Sequence, residues 1–143
     1  LLFYGVSPLT DVESLEKLTQ LKELHLPNNQ LTDVKGLEKL TQLTYLDLSN
    51  NQLTDVKGLK NLTRLKELFL FENQLTDVKG LERLTQLESL GLIYNKLIDL
   101  KGLEKLTQLT RLSLGDNPGL TKAQIDELQK ALPKCDISSN PTK

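Results

Sequence analysis

The sequence has few of the residue types on which disulfide-bonded modules and membrane proteins depend. Its 143 residues include no methionine, no tryptophan and one cysteine, Cys135. A single cysteine excludes an internal disulfide framework. No apolar run is long enough to span a bilayer. The formal net charge of −1 provides no basic surface, so we do not expect the chain to bind nucleic acid.

Signals of catalysis are equally scarce. His25 is the only histidine, and the nearest serine in the predicted stacking order, Ser49, is not an obvious nucleophilic partner. The sequence contains no glycine-rich phosphate loop and no CxxC or HxxxH metal motif. We therefore expect a non-catalytic chain without a cofactor or a bound metal. A catalytic domain elsewhere in a longer parent protein is left open.

Repetition is what the sequence has in abundance. The stretch LTDVKGLEKLTQL at 31–43 returns with few changes at 53–65, 75–87 and 97–109. Asparagines recur at one fixed spacing, and each ends a copy of the frame LxxLxLxxN. A constant period of this length indicates a stacked repeat architecture. The repeated asparagines are Asn29, Asn51, Asn73, Asn95 and Asn117.

The alternation of leucines with other residues inside the frame predicts a short strand. Leu24 and Leu26 would share one face, whereas Glu23, His25 and Pro27 would share the other. Strands of successive coils would stack in parallel about 4.8 Å apart. One coil cannot bury its leucines alone, so stacking creates the core.

The repeated frame resembles the leucine-rich repeat family, in the 22-residue class found in bacterial internalins. The resemblance covers nearly the whole chain and implies a right-handed α/β solenoid. In such a solenoid a parallel β-sheet lines the concave face, and short helical or extended segments form the convex face. The resemblance also implies a non-catalytic protein-binding module, whose frame asparagines bond to backbone groups of adjacent turns as a structural ladder.

The N-terminal residues extend the regular coils at 19–117. Residues 1–18 form a predicted partial repeat, with Leu2 and Tyr4 at strand positions one full repeat before Leu24 and Leu26. No amphipathic cap precedes this strand. We expect its edge to be frayed, to follow residues missing from the chain, or to pack against another molecule, including a second copy.

The last repeat, at 118–140, differs from the others and is followed by a tail at 141–143. A helix is predicted at 122–132, with Thr121 and Gln124 as its capping box and a proline at its end. The frame returns with a step one residue longer than the regular one, which would pair Cys135 with Leu112 and bury its side chain. Its members are Leu132, Cys135, Ile137 and Asn140. Together the repeats form a single predicted domain.

A column of carboxylates runs along the return segments of the coils. One interpretation is a Ca²⁺ site. The interpretation we favour is that each aspartate accepts the free N–H groups of the short helical turn that follows it. No second type of ligand accompanies the column, which consists of Asp33, Asp55, Asp77 and Asp99, with Asp11 ahead of them.

The residues that differ between copies lie at the outward strand positions and at the two positions before each frame asparagine. Five of the six aromatic residues lie in these rows, where they have no folding role comparable to that of the leucines. We predict a contact patch of Phe69, Phe71, Ile93 and Tyr94, with Gly91 leaving an open shelf beside it. An apolar aromatic centre inside a charged rim is typical of protein interfaces. The whole predicted site is Tyr45, Asp47, Glu67, Phe69, Phe71, Glu72, Ile93, Tyr94 and Arg111.

Three functions remain open on the sequence alone. The first is recognition of a protein partner that offers Lys or Arg around an apolar contact, because the rim is largely acidic. The second is a structural spacer in a larger bacterial surface protein, which the near identity of the return segments suits. The third is carbohydrate binding through Tyr45, Asp47 and Tyr94. The family resemblance favours a secreted or cell-surface location in a bacterium.

Overall fold

The computed structural model describes residues 1–2 and 7–141 and forms the predicted solenoid. Its concave side is a six-stranded sheet, in the order β1 to β6, with every neighbouring pair parallel. Each strand has three residues. The strands are β1 Glu23–His25, β2 Tyr45–Asp47, β3 Glu67–Phe69, β4 Ser89–Gly91, β5 Arg111–Ser113 and β6 Asp136–Ser138.

The predicted faces of the strands are confirmed. Leu24 pairs with Leu46, which pairs with Leu68, and all three are fully buried. The residues on either side of them in each strand face outward and are half-buried or exposed. Leucines of the return segments complete one continuous core behind the sheet. The burial therefore comes from stacking, as a solenoid requires.

Buried asparagines connect the coils, as the ladder predicts. The Asn73 side-chain oxygen accepts the N–H of Leu53 at 3.0 Å. Its amide nitrogen donates to the carbonyl of Leu48, in the preceding coil, at 3.1 Å and to that of Leu70 at 3.3 Å. The same bonds recur at Asn51, because the repeat places it identically. Backbone groups turned inward are thereby satisfied.

The convex side consists of short turns, four of which form 3₁₀ helices. The carboxylates that precede these turns accept backbone N–H groups, as we favoured. For example, Asp99 Oδ1 lies 2.8 Å from the nitrogen of Lys101. Gly80 has φ +100°, and a Cβ there would lie 2.8 Å from the Cα of Lys57, so only glycine fits this turn. The 3₁₀ helices are Glu13–Leu15, Lys57–Leu59, Leu81–Arg83 and Leu103–Lys105.

One α-helix, α1 at Lys122–Ala131, replaces the last convex turn and is one residue shorter than predicted. Both bonds of the predicted capping box form between Thr121 and Gln124. Ile125 and Leu128 are buried against the end of the core.

The predicted register of the last strand is wrong by two residues. Leu112 pairs with Ile137 instead of with Cys135, and Arg111 pairs with Asp136. Cys135 is buried as predicted, but it precedes the strand. Asn140 is exposed, and its Oδ1 accepts the N–H of Asp116 at 2.6 Å instead of serving the ladder. A slip of two residues keeps every side chain on its face, so the apolar pattern alone could not reveal it.

The predicted N-terminal strand is also shifted. Leu2 forms one parallel bridge with His25 instead of with Leu24. This one-residue shift places Leu2 outward, 58% exposed, where a core residue was expected. The prediction that Tyr4 occupies a core strand position, like Leu26, falls outside the described residues.

Candidate protein-binding surface

The aromatic row, defined here as His25, Tyr45, Phe69 and Phe71, runs across three strands of the concave sheet. The ring centroids of His25 and Tyr45 are 4.5 Å apart. Those of Tyr45 and Phe69 are 5.6 Å apart, as are those of Phe69 and Phe71. Parallel pairing places Asp47 between His25 and Phe69, so the ring of Tyr45, one outward position earlier, meets both of their rings diagonally. All four residues are half-buried, so each ring keeps an accessible part.

His25 is the residue of this row that the predicted site omitted. It occupies the same outward strand position as Phe69, and this position was the available signal. Its Nε2 also lies 4.0 Å from Glu23 Oε2.

The open shelf predicted at Gly91 is filled. A Cβ on Gly91 would overlap the ring of Phe71 and would lie 3.0 Å from Phe69 Cδ1. Gly91 is therefore buried beneath the two phenylalanine rings. Glycine at this position allows Phe71 to lean across the next coil. The rings form a ridge on the sheet instead of bordering a hollow.

Ile93 and Tyr94 continue the surface on the next coil. Ile93 is half-buried, and its Cγ2 would lie 3.9 Å from a Cβ on Gly115. Tyr94 is 57% exposed and has φ +57°. Bulky side chains rarely adopt this left-handed conformation, whereas asparagine tolerates it. Its counterparts in the other coils, Asn28, Asn50, Glu72 and Asp116, have φ between 52° and 58°.

The charged residues of the predicted rim surround this ridge unevenly. Glu67 and Asp47 are half-buried on neighbouring strands, while Glu72 is exposed. Asp47 Oδ1 accepts the N–H of Ser49 at 2.9 Å, which fixes this carboxylate beside the row. Arg111 is exposed two strands away from Glu67. The part of the rim beside the rings is therefore acidic.

Among the described residues, no group of three His, Cys, Asp or Glu side chains could hold a metal ion. A groove of about 440 Å³ lies on the other side of the molecule, between α1 and the last convex turn, and Leu100, Lys101, Gln124 and Leu128 are among its lining residues. In residues 1–2 and 7–141 we find no helix of the length and apolarity that crossing a membrane requires.

The shifted pKa values belong to structural positions. Burial raises the pKa of the Cys135 thiol, and the charge of Asp136 adds to the effect. The thiol therefore stays protonated at neutral pH, in agreement with its role as a small buried side chain. On the convex side, hydrogen bonds from its own N–H and that of Gly80 lower the pKa of Glu82.

The geometry defines a class of protein, an open parallel-sheet solenoid built from regular coils of equal length and a longer last coil. A family model described as Leucine Rich repeats (2 copies) matches residues 19–61 and 41–83. The chain therefore belongs to the leucine-rich repeat family, with repeats similar to those of bacterial internalins. No curated protein sequence matches it.

Solved structures agree with this assignment. Internalin C2 from Listeria monocytogenes is 30% identical over 93% of this chain, with a TM-score of 0.87. Internalin F from the same species is 34% identical over 94% of the chain, with a TM-score of 0.81. A leucine-rich repeat protein of Leptospira interrogans is 32% identical over 96%, with a TM-score of 0.87. The chain spans 57%, 39% and 36% of these three proteins, respectively.

Proposed function

We propose that the chain is a non-catalytic protein-binding module that recognises its partner through the concave face. The observation that carries this proposal is the continuous aromatic row, which stays half-exposed although a complete leucine core lies behind it. Leucine-rich repeat proteins generally act as interaction modules, and this supports the proposal.

The outward position of the rings argues for recognition instead of folding. Leu46 and Leu68 fill the inward strand positions completely. Aromatic side chains in an accessible cluster are the usual energetic centres of protein interfaces. The face is an open surface instead of an enclosed pocket, and this shape suits a protein better than a small molecule.

The charges beside the rings indicate the chemistry of the partner. Asp47, Glu67 and Glu72 lie beside the aromatic row or directly after it in the chain. A partner with Lys or Arg side chains around an apolar centre would meet this rim with opposite charge. We propose a secreted or cell-surface location in a bacterium, because the similar structures are bacterial and two of them are internalins, the group whose resemblance favours that location.

A displayed library of random peptides, each about 20 residues long, tests the proposal, because such peptides reach up to about 70 Å when extended. Peptides selected on the wild-type chain should combine basic and apolar residues. For a selected peptide, Phe69→Ala or Phe71→Ala should weaken calorimetric binding by about 2 kcal/mol or more. Lys79→Ala, on the convex side, should leave its affinity unchanged.

Thermal melts of every variant accompany the titrations, because Phe69 and Phe71 are half-buried and their truncation also lowers stability. The proposal fails if Lys79→Ala weakens binding more than the aromatic substitutions do. Failure to enrich any peptide would favour the spacer function, and binding of a glycan on an array would favour carbohydrate recognition.

A second contact, self-association at the N-terminal end of the sheet, is proposed from exposed leucines. Leu1, Leu2 and Leu18 are among the most exposed large apolar side chains of the described residues. An unpaired strand edge beside apolar surface favours pairing with a second copy. Sedimentation equilibrium of wild type and Leu18→Glu tests this contact. The same mass for both at all concentrations would exclude it.

A further inference from the structure

We propose that the partner-binding footprint extends from the concave sheet onto the ascending edge of the fourth regular coil, defined by Tyr94, Lys96 and Ile98. This inference rests on the proposed function and adds Lys96 and Ile98, which lie beyond the concave rows, to the predicted contact residue Tyr94. The occupant is the same protein partner, which would present an apolar side chain to Ile98 and a carboxylate to Lys96.

The three side chains are exposed at alternate positions of one short segment, with Asn95 and Leu97 buried between them. Such alternation sets Lys96 and Ile98 on the same side of an extended chain, whereas Tyr94 reaches the surface from the bend just before them, at φ +57°. Four residue steps span at most about 14 Å. One partner surface of ordinary size covers such a distance.

Hydrogen bonds to the preceding coil hold the segment in place. The N–H of Lys96 donates to the carbonyl of Leu75 at 2.9 Å, and that of Ile98 donates to the carbonyl of Thr76 at 3.0 Å. The side-chain oxygen of Asn117 accepts the N–H of Leu97 at 3.1 Å. The three outward side chains therefore project from a fixed backbone and are pre-organised for contact.

Comparison of the coils within the chain identifies this edge as exceptional. In the three preceding coils the position of Lys96 is always glutamine, and that of Ile98 is always threonine. Only the fourth coil changes all three outward positions together, to tyrosine, lysine and isoleucine. The polar residues at the equivalent positions are Asn28, Asn50 and Glu72 for Tyr94, then Gln30, Gln52 and Gln74 for Lys96, and Thr32, Thr54 and Thr76 for Ile98.

The exposure of these side chains shows that the replacements add nothing to the leucine core. Ile98 is 62% exposed, and the tyrosine occupies a backbone conformation that bulky residues avoid. One structural role for Ile98 competes with recognition. A Cβ on Gly119 would lie 2.6 Å from Ile98 Cγ2, so the isoleucine packs partly against the Pro118–Gly119 turn of the next coil. The experiment must separate these two roles.

The test uses peptides selected from the random library on the wild-type chain. Each substitution in the chain replaces a residue of the edge by the residue that the preceding coils have at that position. We expect Ile98→Thr to weaken binding of a selected peptide about tenfold. Lys96→Gln should weaken it less and should reduce its salt dependence, because one charged contact is lost. Thr32→Ala, in the same column three coils away, is the matched control and should change nothing.

The outcomes distinguish this inference from the proposed function. If Phe71→Ala abolishes binding while Ile98→Thr and Lys96→Gln leave it unchanged, the edge is not part of the footprint and the concave site stands. If neither Phe71→Ala nor Ile98→Thr affects binding, both proposals fail. If Ile98→Thr lowers the melting temperature clearly and leaves affinity intact, the isoleucine supports the turn and the inference is overturned.

Discussion

The free-energy cost of a left-handed backbone conformation can be measured separately from the contacts of an aromatic ring at Tyr94. With φ +57° Tyr94 lies in the left-handed region, which costs an ordinary L-residue roughly 1–2 kcal/mol but which asparagine visits routinely. Tyr94→Asn and Tyr94→Ala both remove the ring, so contacts of the ring cancel when the two variants are compared. What remains is the compatibility of asparagine and alanine with this backbone, together with any hydrogen bond that the asparagine side chain forms.

We expect Tyr94→Asn to be more stable than Tyr94→Ala by about 1 kcal/mol. Asparagine also gains a partner in this column, as Asn50 shows by donating from Nδ2 to Asn28 Oδ1 at 2.6 Å. Urea unfolding followed by far-UV circular dichroism measures the difference. A stability gap of about 1 kcal/mol should shift the unfolding temperature by roughly 3–6 °C in a domain of this size.

Binding should respond differently from stability. Both variants lose the aromatic side chain, so both should bind a peptide selected on the wild-type chain with the same reduced affinity. Equal stability of the two variants would refute the argument from the left-handed backbone. Full affinity in Tyr94→Asn would show that the ring is not a contact.

Two further predictions concern the interior. Asn73→Ala leaves the buried N–H of Leu53 without its acceptor and removes three side-chain hydrogen bonds to backbone carbonyls, so the free energy of unfolding should fall by about 1–3 kcal/mol. Gln74→Ala, at the adjacent exposed position, should change it little in the same denaturant titration. Because burial raises the pKa of the Cys135 thiol, its alkylation by iodoacetamide at pH 8 should be much slower in the folded chain than in urea, and equal rates would show that the thiol is accessible.

The sequence predicted the repeated coils well because one physical pattern decides both their strands and their core. Period-two alternation at Leu24 and Leu26 specifies the buried face, and the constant spacing of the frame specifies which strands pair. The asparagine ladder followed from the family resemblance, and the caps at Asp33 and its counterparts followed from local hydrogen bonding.

Other features depend on distances that cannot be read from the order of the residues. The register of β6 is set by the path of α1, whose residues rise only about 1.5 Å each, and a slip of two residues left the apolar pattern unchanged. The lean of Phe71 over Gly91 depends on side-chain direction, so the sequence suggested a shelf where the structure has a ridge. The sequence also assigned the aromatic residues no folding role comparable to that of the leucines, but Phe69 and Phe71 are half-buried and pack over Gly91.

The equivalence of the coil junctions has a consequence for how such a chain changes over generations. Leu24 meets Leu46 in the same way as Leu46 meets Leu68, and the frame asparagine makes the same bonds at each step. Unequal recombination that duplicates or removes one coil therefore creates only junctions of a kind already present. Each event would lengthen or shorten the concave face by about 4.8 Å. The outward residues of the affected coil would be duplicated or removed together with it. A lineage can thus rearrange its aromatic rows without having to re-evolve the core beneath them.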